Sequence, residues 1–390
     1  MKKNNLRHSW YAVTLLTTGH FFSDFYANFL PALLPIIMPK LGLSLTMSGL
    51  LVMILSFTSN VLQPFFGYIM DKKNLNWLLL FTVPGSAIFI CLTGLADTKI
   101  ALFALVTLSG LALSIFHPLG SSLVSNVASI SKLGLSISIF VAGGNLGFAL
   151  SPVIIVYFTE NYGLSALPLL IIPSLILAIA LYQSGLSKPR LRSVTPSANS
   201  SNLTNISEQI DLIKLNLAMG LRAWTHVSVT TFLPVLLVSR GHSATFAGVM
   251  LTIFLIGAAI GGLYGGYLSD KLGCKKVITA SLALGILPTY IFLSNIEITG
   301  WTWIVLFFCG AGLQGSAPSS LVWAQKLLPN NAGMASGMML GLSFGLGGIG
   351  AAITGALADS ITLATSLLLT TLPLALAAFI TVTIPEKPMH

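Results

Sequence analysis

The feature that most constrains this chain is an internal repeat. Phe29-Leu30-Pro31-Ala32-Leu33-Leu34 recurs about 200 residues later as Phe232-Leu233-Pro234-Val235-Leu236-Leu237. Each copy is followed one apolar run later by Gly-Tyr and then Asp-Lys: Gly67-Tyr68-Ile69-Met70-Asp71-Lys72 and Gly266-Tyr267-Leu268-Ser269-Asp270-Lys271. Pro118 in a fourth apolar run answers Pro318 in a tenth. A chain built this way folds as two equivalent halves.

Only 7% of the 390 residues are charged and 55% are apolar, where a soluble protein has about 25% charged. Most of the chain therefore lies in lipid. Apolar runs of about 20 residues, enough for a ~30 Å hydrocarbon core, recur twelve times. Their expected spans are 9–38, 46–70, 77–96, 99–128, 132–158, 164–185, 210–238, 244–269, 276–295, 300–327, 332–357 and 362–383. The fold class expected is an all-α membrane protein of twelve transmembrane helices in two six-helix, pseudo-symmetric bundles. The bundles are residues 1–186 and 210–390. The Ser-, Asn- and Thr-rich stretch 187–209 between them is a cytoplasmic linker, where the Asn202-Leu203-Thr204 and Asn205-Ile206-Ser207 glycosylation patterns are without meaning.

The net charge of +9 has a topological reading. With a cytoplasmic N-terminus the inner loops hold Lys2, Lys3, Arg7, Lys72, Lys73, Lys132, Lys188, Arg190, Arg192, Lys214, Lys271, Lys275, Lys276, Lys326 and Lys387, against Lys40, Lys99 and Arg240 outside. Both termini are then cytoplasmic, and the basic surplus does not imply a nucleic-acid partner. Cys91 and Cys309 fall in apolar runs and Cys274 in an inner loop, so no structural disulfide is expected. The first run is too long for a signal-peptide core and is retained as a helix.

Glycines cluster in matching runs of the two halves: Gly143-Gly144-Asn145-Leu146-Gly147 in the fifth, and Gly341, Gly345, Gly347-Gly348 and Gly350 in the eleventh. Small residues at this spacing let helix backbones approach closely. Their matched placement points to a moving interface, with Gly143 and Gly147 as gating residues.

Asp24 is the one carboxylate well inside a predicted span, and His20 precedes it by one turn on the same face. A charge at that depth must face a cavity, pair, or take up a proton. His117 in the fourth run, and Arg222 and His226 one turn apart in the seventh, are the other ionisable groups at membrane depth. If runs one, four, seven and ten line a cavity, all five converge there. Asp24, tuned by His20 and His117, is the expected proton-coupling site. Arg222 either holds Asp24 ionised, in a bridge between the halves, or receives an anionic substrate, since its guanidinium forks onto carboxylate or phosphonate. His226, Asn145 and Gln314 complete the candidate substrate contacts. A metal site of His20, Asp24, His117 and His226 is conceivable but has no dense ligand motif behind it, so no metal or cofactor is expected. No nucleophile elbow, P-loop or zinc-protease pair is present. The chain is expected not to be an enzyme, and any work it does draws on an ion or solute gradient.

At Gly67-x-x-x-Asp71-Lys72 and Gly266-x-x-x-Asp270-Lys271-Leu272-Gly273-Cys274-Lys275-Lys276 the chain resembles the major facilitator superfamily over its whole length. The resemblance implies that Gly67, Asp71, Lys72, Gly266, Asp270 and Lys271 take part in gating, Asp71 through the N-terminal end of the eleventh helix. In the first copy Asn74 replaces a glycine and the trailing basic residues are missing. His20-x-x-x-Asp24, Phe116-His117-Pro118, the fifth-run glycines and Gly345-Leu346-Gly347-Gly348-Ile349-Gly350 are similar to the fosmidomycin resistance family of drug exporters, which often has an acid where Leu119 stands. What this implies is proton-coupled export of a small, drug-like or anionic molecule from the cytoplasm by a monomer in the cell inner membrane. Metabolite or siderophore transport on the same fold, and a non-transport sensor, are the alternatives.

Overall fold

A computed structural model describes residues 10–129, 132–188, 206–294, 298–328, 335 and 337–385; of 71, 72 and 206–208 it describes the backbone alone. Most of the expected linker, the side chains of Asp71 and Lys72, and the expected start of the eleventh span lie outside what is described. Among the described residues there are twelve helices long and apolar enough to cross a membrane. They are α1 (Trp10–Leu41), α2 (Leu45–Met70), α3 (Asn76–Leu95), α4 (Lys99–Val127), α5 (Leu133–Tyr162), α6 (Leu164–Ser184), α7 (Gln209–Ser239), α8 (Ala244–Leu272), α9 (Cys274–Ser294), α10 (Gly300–Leu327), α11 (Met338–Ser360) and α12 (Leu363–Thr383). The sequence expectation matches them to within a few residues, save at the start of the eleventh, which lies outside the described residues.

With an even number of spans, one face of the molecule carries the termini and the other, the far face, carries the turns before the even-numbered helices. Five of the six helices that begin at the far face are capped by a hydroxyl. Ser44, Thr98, Ser243 and Thr362 accept from backbone N–H groups of Met47, Ala101, Phe246 and Thr365, and Thr299 forms a reciprocal capping box with Thr302. These caps satisfy donors that water would otherwise have to reach at the helix ends.

Two hydrophobic cores form, one largely from α1–α6 and one largely from α7–α12. Within the first, α1 packs on α4 and α5 and α3 on α4; within the second, α8 packs on α10 and α7 on α11 and α12. The duplicated hexapeptide is buried in both copies, with Phe29 and Phe232 fully enclosed. The Gly-Tyr glycines do the same work twice. A Cβ on Gly67 would lie 3.6 Å from Pro118, and one on Gly266 would lie 3.6 Å from Pro318. The sequence signals noticed as separate repeats are thus the two sides of one helix contact.

The halves meet along α2 with α11 and α5 with α8. On α11, Gly341 approaches Asn60, Gly348 approaches Met53 and Ser56, and Gly355 approaches Leu45, all on α2. Both helices carry a π-helical turn at this level, Phe57–Val61 and Met338–Leu342. Gly143 and Gly147 behave differently from expectation. They press on Thr17 and Phe21 of α1, so their close approach lies inside one half. The interface between halves that the matched glycines suggested is found on α11 but not at these two α5 positions.

Candidate functional site

Asp24 sits on α1 just before the helix is interrupted at Asn28, where the backbone leaves helical geometry ahead of Pro31. Proline cannot donate to the carbonyl four residues earlier, which loosens the helix beside the carboxylate. Asn28 reaches across to the carbonyl of Phe148 at 2.9 Å and ties this point to α5.

Both oxygens of Asp24 have a partner. Oδ2 is 3.3 Å from Nε2 of His20, and Oδ1 is 3.5 Å from Nε2 of His117. His20 also donates from Nδ1 to the carbonyl of Phe140 at 2.8 Å. A carbonyl only accepts, so the hydrogen on Nδ1 is fixed by that bond. The ring is further held by stacking on Phe140, with centroids 4.2 Å apart, and by an edge contact with His117 at 5.3 Å. The Asp24 side chain keeps 16% of its exposure and His117 keeps 26%, so the cluster is enclosed yet open on the His117 side.

The glycine run of α5 supplies the back wall. A Cβ on Gly144 would lie 2.5 Å from Nε2 of His20 and 2.6 Å from Oδ2 of Asp24. No side chain fits there, and the backbone itself closes the pair off. Gly144 is a site residue not among the expected ones; its signal is the glycine run, which points in the sequence to a moving helix interface rather than to the Asp24 cluster. Leu119 is buried in the first core, and a carboxylate there would have no water.

Arg222 is 2% exposed and is held within its own half. Its Nη1 donates to Oε1 of Gln314 at 2.6 Å and is 3.4 Å from the carbonyl of Leu313, while the guanidinium lies over the Phe344 ring at 5.8 Å. Nε of Arg222 and Nδ1 of His226 are buried with no hydrogen-bond partner, and His226 packs on Phe254 at 5.3 Å. Of the two roles open to Arg222, the bridge to Asp24 is not formed in this structure: each group finds its partners locally, Asp24 on α1 and α4, Arg222 on α10. His20, Asp24 and His117 bring ligand atoms within 4.8 Å of one another, a spacing a divalent ion could span, but His226 belongs to the second half and is not with them. Asn145 is exposed on α5, and Asp270 and Lys271 are exposed at the end of α8, with Lys271 over the Tyr267 ring.

Twelve membrane-spanning helices in two repeated halves, with ionisable side chains buried at mid-span in both, define a polytopic transporter rather than an enzyme. A sequence profile of the Major Facilitator Superfamily matches residues 16–351 and 215–389, and the chain belongs to that family. It is 29% identical to the fosmidomycin resistance protein of Escherichia coli (strain K12) over 90% of this chain and 87% of that protein. It is 30% identical to the uncharacterized MFS-type transporter YfnC of Bacillus subtilis (strain 168) over 82% of this chain and 80% of the relative. Its fold matches the crystal structure of a bacterial homolog of the human lysosomal transporter Spinster, inward-facing and unoccupied. The TM-score is 0.80 at 16% identity, over 98% of this chain and 97% of the other.

Proposed function

We propose that the chain is a proton-coupled secondary transporter that exports a small anionic or drug-like molecule across the cytoplasmic membrane by alternating access. The observation that carries the proposal is the donor count at His20 and Asp24. Nδ1–H of His20 is committed to Phe140, so a neutral ring turns a lone pair toward a carboxylate only 3.3 Å away. Two acceptors stay in that contact only with a proton between them. The pair is therefore a one-proton store, and His117, the most exposed of the three side chains at 26%, is its exchange route.

The second half supplies the substrate charge partner. Arg222 is buried against a neutral amide and a carbonyl, with Nε still unused. An anion entering beside Gln314 completes its hydrogen bonding, and His226 lies one turn away. In this reading a proton held in the first half and an anion held in the second occupy the transporter by turns, as an antiporter requires. Relatives named for drug resistance support the direction. The loop charges, fifteen basic residues against three, support cytoplasmic termini. The working unit in this reading is a monomer.

The test has two arms. An exporter-deficient host expressing the chain is grown across a toxin panel that includes fosmidomycin; resistance is expected, whereas sensitisation reverses the direction. Purified protein in proteoliposomes is then given an imposed pH gradient with the compound so found. Gradient-driven accumulation is expected, and uptake indifferent to the gradient removes the proton from the mechanism.

A further inference from the structure

The far face is closed by the same device twice. Asp359, in the last turn of α11, accepts from Leu45 N at 3.0 Å, from Thr46 N at 2.8 Å and from the Thr46 hydroxyl at 2.6 Å, all at the N-terminus of α2. Glu160, near the end of α5, accepts from Thr245 N at 3.0 Å and from the Thr245 hydroxyl at the N-terminus of α8. The repeat relates the two arrangements. Ser44-Leu45-Thr46 with Gly49 corresponds to Ser243-Ala244-Thr245 with Gly248, and α11 corresponds to α5. The glycines one turn further in let the backbones touch: a Cβ on Gly49 would lie 2.6 Å from the carbonyl of Ala351, and one on Gly248 would lie 3.0 Å from that of Pro152.

The placement of these acids opposes their own helices. A negative charge in the last turn of a helix meets the negative end of its dipole. Among the described residues each acid is compensated by the positive N-terminal end of a helix in the other half, so the charge stabilises the joined state and not the helix that carries it. The contacts are also exposed, so when the halves part both sides are rehydrated at small cost. A strong charge-to-helix contact that water can replace is suited to repeated release, whereas a buried one would hold the halves together permanently.

We propose that Asp359 and Glu160 are paired latches that hold the far face shut, and that opening this face requires the release of both. The inference rests on the alternating-access reading above, and its readout is a distance that needs no transported compound. Spin labels are placed at Tyr162→Cys and Ile361→Cys, exposed positions on opposite halves of the far face, after replacement of Cys91, Cys274 and Cys309. Distances are measured by electron–electron resonance in nanodiscs.

Asp359→Asn and Glu160→Gln are each expected to raise the separated population about two- to fivefold, and the double variant to raise it by the product. Thr46→Ala and Thr245→Ala, which keep both carboxylates, should move it the same way by less. Distributions unchanged in the double variant, at retained melting temperature, overturn the proposal. A shift confined to one latch overturns the pairing. If the carboxylate variants fail to fold, the two threonine variants decide alone.

Discussion

Nε2 of His20 lies 3.3 Å from Oδ2 of Asp24, one turn along the same helix, with the far side of the imidazole fixed by the Phe140 carbonyl. The contact is short-range and needs no second half, so it persists through a rigid-body rocking of the halves. What changes in such a motion is which side of the membrane reaches His117.

Asp24→Asn keeps the shape of this cluster and removes its charge. It is expected to abolish uphill transport driven by a pH gradient, by a factor of ten or more, while leaving substrate-for-substrate exchange in the absence of a gradient within about threefold. Paired flux assays on the same liposomes check this. Loss of both activities with normal folding would place Asp24 in substrate binding.

Gly144→Ala forces a methyl against both His20 and Asp24. Overpacking of this kind costs about 1–3 kcal/mol, and here it falls on the charged pair. Uphill transport is expected to drop at least tenfold with the protein still inserted. Gly134→Ala, which meets nothing within 4 Å, is the matched control and should transport normally.

Gln314→Leu removes the amide that faces the Arg222 guanidinium. The guanidinium then loses the side chain that holds it in place, and anion binding is expected to weaken by about ten- to a hundredfold. Neutral compounds should be affected less, so competition binding with an anionic and a neutral ligand separates charge recognition from general loss of fold. Arg222→Lys should follow the same order, because an ammonium cannot reproduce the forked geometry.

All three cysteines are buried. In detergent the folded protein is expected to react with a polar thiol reagent at less than one equivalent in minutes, rising to three on denaturation. Fast reaction of one thiol while folded would mark a break in the helix packing around it.

Much of the fold was legible because lipid leaves few options: a ~20-residue apolar run has to be a helix. The His20, Asp24 and His117 cluster was legible for a related reason, since ionisable groups in lipid are too costly to be incidental. The partners of Arg222 were not. A lone buried cation and a lone buried acid suggested a bridge, but sequence spacing does not report that Gln314 stands nearer. The latches were hidden by their position. Glu160 and Asp359 lie at helix ends, where acids are ordinary, and only the contact across the halves distinguishes them.

The π-helical turns of α2 and α11 each hold one residue more than the α-helix around them. Each extra residue turns the helix beyond it by about 100° relative to an unbroken α-helix, while most backbone hydrogen bonds stay made. Because the two surpluses lie where α2 and α11 touch, they set which faces these helices show each other.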